Sequence, residues 1–368
     1  MDLAFLHPLY EHPGPWASVY VDTSRRTEST PHELSLTARA LVRDLAGQGA
    51  DEPTCRAVRE AIEELGHMPE PYGRAMFARA GEVVLDPPLV AAPPRSSAHW
   101  SPLPHTAPLL ALAGEDPVCV VAYIDRKGAE FELRGALGSR EAGQVTGREW
   151  PLHRTTSWDW SVRHFQLRVE NTWEHNAAEI ADALTVCQEE TRADLVILVG
   201  EQRERRAVHE RLPQRLEDRV AEAPHGAGSR LLDEDVERIR NEHVRRRAEQ
   251  ELERFLAARA PDEQGRTRAV EGVPAVMEAA REHRIDELLI QPDGPDTRLE
   301  VWVGKNPDLL AVRRNELEAL GEAHALPARA DDALVRSVVE TGAEAVSVTA
   351  ATAAEVPAGG VGALLRWA

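Results

Sequence analysis

The sequence predicts an α/β protein of several domains. Three observations point there. The chain's 368 residues exceed what one ordinary core takes up. A proline-dense stretch interrupts it after residue 85, and on both sides short apolar runs alternate with amphipathic segments. A hydrophobic content of 42% with 29% charged residues is that of a globular chain.

The first domain, residues 1–113, opens with ASVYVDTSRR. Val19 and Val21 mark a strand that runs into a polar loop carrying Arg25 and Arg26. HELSLTARALVRDLAGQG and PTCRAVREAIEELG follow, each with apolar residues three and four apart and a closing glycine, so both predict helices. Asp86 to Pro117 holds eight prolines in 32 residues. Such density disfavours helix and sheet, and it predicts an extended surface linker from residue 86 between two domains.

The second domain, residues 114–260, begins with VCVVAYIDRKGAEFELRG, two strands around an Asp125–Gly128 hairpin turn. Extended chain continues to Gly147. TTSWDWSVRHFQLRVENTW, residues 155–173, then puts three of the chain's eight tryptophans into nineteen residues. Val162, Phe165, Val169, Trp173, Ala177, Ile180 and Leu184 form a stripe at helical spacing, predicting a long helix from about Trp160. Ser157 or Asp159 would cap it, and Trp160, His164, Arg168, Asn171 and His175 would take the opposite face. ADLVILVGE reads as a buried strand of a parallel sheet, RERRAVHERLP as a helix, and RLLDEDVERIRNEHVRRRAEQELERFLAARA as a long, mostly solvated helix.

The third domain, residues 261–368, contains the helix VPAVMEAAREHR and the strands IDELLIQ and LEVWVG. A further helix and strand follow in DDALVRSVVETGAEAVSV, and GGVGALLRWA gives a glycine turn and a last strand.

Composition narrows the function. A formal net charge of −19 argues against a nonspecific polyanion binder such as a DNA-binding protein, while leaving room for a local RNA-binding patch. Cys55, Cys119 and Cys187 are odd in number and far apart, which implies a reducing compartment and no structural zinc. The N-terminus lacks the basic start of a signal peptide, and no apolar run approaches the ~18 residues of a membrane span. These features predict a cytoplasmic protein without a membrane partner.

No dinucleotide, P-loop, zinc-protease or nucleophile-elbow motif is present. His7 and His12 read as loop histidines. Glu63–Glu64 and Asp331–Asp332 read as solvated helix faces, and Gly359–Gly360 as a turn. No cofactor, metal ligand set or catalytic residue is therefore assigned. What remains is the tryptophan segment. Trp158 and Trp160 beside Arg163, His164 and Arg168 suit stacking on single-stranded RNA. They equally suit a hydrophobic staple that locks the loop to its domain.

Three passages together resemble the archaeal–eukaryotic release-factor superfamily, with Pelota as a relative. They are VCVVAYIDRKGAEFELRG, WSVRHFQLRVENTWEHNAAEIADAL with its RHFQLRVENTW core, and GGVGALLRWA. Their order is closest to the bacterial branch, which includes Balon-type ribosome hibernation factors. The resemblance implies an RNase-H-like middle domain and a third domain like the kink-turn-binding ribosomal proteins. It also implies the ribosome as partner, at the rRNA of the A site, and EF-Tu as a second partner.

Release factors carry Gly-Gly-Gln on the middle-domain loop, where glycine supplies backbone angles closed to other residues. By the HF dipeptide, that tripeptide falls on Trp158-Asp159-Trp160, and no glycine lies between Arg148 and Val199. The implied function is a non-catalytic ribosome-binding factor of translational hibernation. Trp158, Asp159, Trp160, Arg163, His164, Arg168, Arg25 and Arg26 would be its contacts. The rival reading is a peptidyl-tRNA hydrolase of ribosome rescue, with Asp159, His164 or Gln166 orienting water.

Overall fold

The computed structural model describes residues 3–24, 30–65, 72–113, 117–125, 128–134, 143–145, 163–168, 173–223, 233–348 and 355–367. The chain divides into two compact units, residues 1–115 with 247–368 and residues 116–246. Both are α/β.

The first unit opens with a short helix α1 (His7–Tyr10) and the strand β1 (Trp16–Asp22). Helices α2 (Thr30–Gly47) and α3 (Glu52–Glu64) follow, then β2 (Gly73–Arg79), β3 (Glu82–Leu85), β4 (Pro88–Leu89), β5 (Ser97–Ser101) and α4 (Leu109–Leu112). The sheet runs β3-β2-β1-β5 with β4 also on β2, and its pairings are antiparallel. Alternate residues of β1 serve two cores. Ala17, Val19 and Val21 pack with Leu41 and Leu45 of α2 and Val58 and Ile62 of α3, whereas Trp16 and Tyr20 enter a second core. The period of two along a strand makes this division automatic. Asp51 caps α3 by accepting the Thr54 N–H at 2.9 Å and its hydroxyl at 2.8 Å, a contribution of about 1 kcal/mol.

The proline-rich stretch corrects its expected role as a surface linker. It carries β4, β5 and α4, and Leu103, His105, Thr106, Leu109 and Leu110 are buried. Its prolines flank these elements more than they interrupt them. Residues 97–101 contain none, so β5 pairs fully with β1, and Pro108 stands at the start of α4, where its missing N–H costs nothing.

The second unit contains β6 (Cys119–Asp125), β7 (Gly128–Arg134), β8 (Gly143–Val145), β9 (Arg163–Arg168), α5 (Trp173–Thr191), β10 (Leu195–Val199), α6 (Gln202–His209), β11 (Val220–Ala223) and the first part of α7 (Asp233–Ala258). The sheet order is β11-β10-β6-β7-β9-β8. β6, β10 and β11 are mutually parallel, while β7 is antiparallel to β6 and to β9. Leaving the short β8 aside, this is the strand order of an RNase-H-like sheet. All of β10 is buried because both faces are covered. Val196 and Leu198 pack with Ala177, Ile180 and Leu184 of α5, and Leu195, Ile197 and Val199 pack with Val236 and Ile239 of α7.

One helix starts later than its periodicity suggests. The stripe from Val162 predicts a helix near Trp160, but residues 163–168 form β9 and the helix begins at Trp173. RHFQLR alternates polar and apolar residues with period two as well as fitting a helical stripe, and pairing with β7 decides for the strand. The cap expected at Ser157 or Asp159 therefore does not start α5. The downstream stripe holds, with Ala177, Ile180 and Leu184 fully buried.

The chain then completes the first unit with β12 (Ala269–Glu271), α8 (Val273–Arg281), β13 (Ile285–Ile290), β14 (Glu300–Val303), β15 (Leu310–Ala311), α9 (Arg314–Ala319), β16 (Leu326–Arg329), α10 (Ala330–Thr341), β17 (Glu344–Ser347) and β18 (Val361–Leu365). One sheet runs β12-β18-β13-β17, with only β13 and β17 parallel, and a smaller one runs β15-β14-β16. α10 ends at Gly342 in the left-handed conformation (φ 62°). Gly359 and Gly360 form the expected turn, with φ of 70° and 82°.

A single core joins the two ends of the chain. Leu6, Leu9, Trp16, Phe77 and Leu109 share it with Val276, Leu288, Leu334, Val338 and Val361. The regions expected as first and third domains fall within one compact unit. α7 is also less solvated than its charge suggests, since Val236, Leu252 and Phe255 are buried.

Candidate functional site

Of the residues singled out from the sequence, Trp158, Asp159, Trp160, Arg25 and Arg26 lie outside the described residues. Arg163, His164 and Arg168 lie on β9, not on a helix face. In the ladder Arg163 pairs with Gly143 of β8, His164 stands opposite Glu132 of β7 and Arg168 opposite Gly128. Gln166 is on the same strand, opposite Glu130. β9 is bordered by β7 on one side and β8 on the other, so its backbone is committed to the sheet.

The most concentrated polar chemistry among the described residues lies elsewhere, at the N-terminus of α10. Asp331 and Asp332 are only 3% and 2% exposed, which corrects their expected place on a solvated face. Asp332 Oδ2 lies 2.8 Å from His105 Nδ1. Its other oxygen accepts the backbone N–H groups of Thr106 at 2.9 Å and Ala107 at 3.1 Å. Arg329 donates through two nitrogens to the two oxygens of Asp331, the Nε bond measuring 3.0 Å. The Asp332 N–H also donates to Asp331 at 2.9 Å. Placing two carboxylates in the first turn of α10 further favours their charge, because that end of a helix is the positive one.

A second layer fixes His105. Its N–H donates to Ser18 Oγ at 2.8 Å, and its carbonyl accepts the Tyr20 hydroxyl at 2.6 Å. The hydroxyls of Tyr10 and Thr106 are hydrogen-bonded at 3.0 Å. The His99 ring meets the His105 ring edge to face at 4.7 Å.

The two histidines titrate in opposite directions. Burial opposes a charge on His105, but the Asp332 carboxylate beside it prevails and raises its pKa. Burial, and then the neighbouring His105, push His99 down to about 4. Burial followed by the charge of Asp332 pushes Asp331 up to about 6, against the pull of Arg329. The surroundings thus favour the charged imidazole at His105 and the neutral one at His99.

A histidine held by a carboxylate has the geometry of a general base. Here the pair is closed in, and the nearby Ser18 hydroxyl is occupied as an acceptor for the His105 backbone. Nitrogen and oxygen atoms of His105, Asp331 and Asp332 lie within 4.8 Å of one another. The carboxylates already receive Arg329 and three backbone N–H groups, which accounts for their burial without any further ligand. The cluster clasps two parts of the first unit together. An acid pair placed directly before the apolar run ALVRSVV was the available signal, a helix start rather than a solvated face.

The second unit carries an open cleft of about 660 Å³ beside α6, lined by Arg206, His209, Glu210, Gln214, Glu217 and Glu222 among others. Its charges are largely paired within the cleft. Arg206 bonds Glu210 at 2.8 Å, which raises the arginine's pKa and lowers the glutamate's, and His209 Nδ1 lies 3.0 Å from Glu222.

The sequence profile described as bacterial archaeo-eukaryotic release factor family 2 matches residues 118–261. Two curated relatives from strains of Mycobacterium tuberculosis, the uncharacterized proteins MT2704 and Rv2629, are each 30% identical over 359 residues, covering 96% of this chain and 94% of theirs. Among solved structures, Archaeoglobus fulgidus Pelota aligns at 17% identity over 80% of this chain and 79% of its own, with a TM-score of 0.36. Dom34 of S. cerevisiae aligns at 11% identity over 68% and 63%, with a TM-score of 0.37. The archaeal translation termination factor aRF1 aligns at 15% identity over 99% and 96%, with a TM-score of 0.22. At such scores the whole chains do not superpose.

Proposed function

Because this chain belongs to the bacterial branch of the archaeo-eukaryotic release-factor superfamily, we propose that it is a non-catalytic factor that binds the ribosome. It fills the vacant A site and protects idle ribosomes during starvation or stress, in the cytoplasm. The observation that carries the non-catalytic part is the absence of any glycine between Arg148 and Val199. Aiming a glutamine at a scissile ester requires backbone angles that Ser-Trp-Asp-Trp does not readily adopt.

In this reading Arg25 and Arg26 approach the decoding centre. Trp158, Asp159 and Trp160 point toward the peptidyl-transferase region, and Arg163, His164 and Arg168 contact rRNA phosphates near them. EF-Tu is the partner that the superfamily resemblance suggests. With a net charge of −19, few phosphates are neutralised, so the affinity should fall less steeply with salt than that of a basic RNA binder.

The test pairs co-sedimentation with ribosomes against peptide release from stalled nascent-chain complexes. Binding without release is the expected outcome. Release that is abolished by Asp159→Ala or Gln166→Ala would instead make the protein a peptidyl-tRNA hydrolase. Failure to co-sediment with ribosomes from starved cells would remove the ribosome from the account altogether.

A further inference from the structure

Glu287 is a carboxylic acid on β13, the strand between β18 and β17, yet it is only 5% exposed. Such burial is rare for glutamate and requires compensation. Its neighbours across the sheet are Glu344 on β17 and Leu364 on β18. The later turns of α7 cover this face, with Leu252 and Phe255 packed on Leu289, Val346 and Leu364.

Beside that apolar seam runs a charged row of the helix, Arg247, Glu251 and Arg254. Arg247 donates to Glu344 at 2.9 Å. Arg254 is shared: it bonds Glu251, and its Nη1 lies 3.6 Å from Glu287. The carboxylates of Glu251 and Glu287 thus converge on one nitrogen of Arg254, and two carboxylates held that close in a buried site are relieved of their repulsion by one shared proton.

We propose that this shared proton is a latch, holding residues 247–258 of α7 on the sheet while it is bound and loosening them when it leaves. Two carboxylates and one arginine at this contact carry one net negative charge without the proton and none with it. The released proton goes to solvent. Burial first, and then Glu251, push the Glu287 pKa up to about 8, while Arg254 pulls the other way. Glu344 is bonded by Arg247, β18 presents apolar Leu364, and α7 brings Glu251 and Arg254 to Glu287.

The sign follows from linkage. A carboxyl whose folded pKa lies above its ordinary value of 4.5 stabilises docking at low pH, and the contribution drains away as pH rises to about 8. One proton changes the opening equilibrium by at most about tenfold per pH unit in that window.

The experiment is hydrogen–deuterium exchange of the full chain, corrected for intrinsic rates, between about pH 5.5 and 9. Opening of the 248–258 amides should rise with pH and level off near 8 in the wild type. Glu287→Gln, which mimics the protonated form, should abolish the rise. Glu251→Gln should move the levelling point to lower pH, because a like charge is removed. A flat wild-type profile, the same rise in Glu287→Gln, or an equal rise in the β1 amides would overturn the latch. An unmoved levelling point in Glu251→Gln would do so too.

Discussion

His105 and Asp332 stand 2.8 Å apart in space and 227 positions apart in sequence. The carboxylate also takes the N–H groups of Thr106 and Ala107, so one side chain organises the whole turn between Pro104 and Pro108. That turn belongs to the N-terminal part of the first unit and the aspartate to its C-terminal part. The contact has the stereochemistry of a catalytic dyad and the surroundings of a rivet.

Removing the carboxylate should therefore be costly. Asp332→Ala leaves His105 and two backbone donors buried without their acceptor, and should destabilise the first unit by about 3–5 kcal/mol. Asp332→Asn, which keeps one acceptor oxygen, should cost less. Urea denaturation followed by tryptophan fluorescence reads both variants, since Trp16 lies in the core that the rivet closes. An unchanged midpoint for Asp332→Ala would refute the clasp.

Acid should act through His99. Its pKa of about 4 in the fold lies below the ordinary histidine value of 6.5, so the unfolded chain binds the extra proton between these limits. Stability from this group is present above 6.5 and is lost as pH falls toward 4. His99→Phe should flatten that part of the melting temperature against pH. His105, with its raised pKa, contributes in the opposite sense: its share is full below the ordinary value and lost as pH rises through the shifted one. His99→Phe and His105→Gln should thus change the pH profile at opposite ends.

Gly359 should not tolerate a side chain. Its φ is 70°, and an added Cβ would lie 2.1 Å from Asp296 Oδ2. Gly359→Ala should cost about 1–3 kcal/mol from backbone strain and collision. Adding Asp296→Ala removes the carboxylate but leaves a Cβ at 2.8 Å, so it should recover only part of the loss, and full recovery in thermal melts would show that the backbone is unstrained.

For the tryptophan pair, Trp158→Ala with Trp160→Ala should weaken ribosome association while leaving the melting temperature within a few degrees of the wild type. Ribosome pelleting and differential scanning fluorimetry measure the two quantities. A large fall in melting temperature with unchanged pelleting would identify the tryptophans as a packing staple.

Legibility followed the range of the interaction. VCVVAYID and ADLVILVGE are strands whose apolar content shows in the residues themselves, and the RNase-H-like order came with the resemblance that the first of them helped to carry. α8, α10 and the closing β18 were equally plain. RHFQLR was not, because six residues satisfy both periods and only the partner strand β7 chooses between them. Asp332 was misread because His105, Thr106 and Ala107, its partners, lie more than two hundred residues upstream, beyond any periodicity. The proline-rich stretch hid a strand for a related reason: proline density describes a window, whereas β5 needs only five residues free of it. The proposed ribosome contacts rest on identity and spacing, since Trp158, Trp160, Arg25 and Arg26 lie outside the described residues.

The rivet also dictates a schedule for synthesis. At about 5–20 residues per second, a ribosome that has just made His105 needs on the order of ten to forty-five seconds more before Asp332 exists. During that interval Trp16, Tyr20 and Phe77 have only part of their core to pack against. The middle unit, residues 116–246, is complete well before Asp332 is made and can fold in that interval. A nascent chain of this protein is therefore most exposed to aggregation through its earliest residues, and interrupted translation would leave that face uncovered for good.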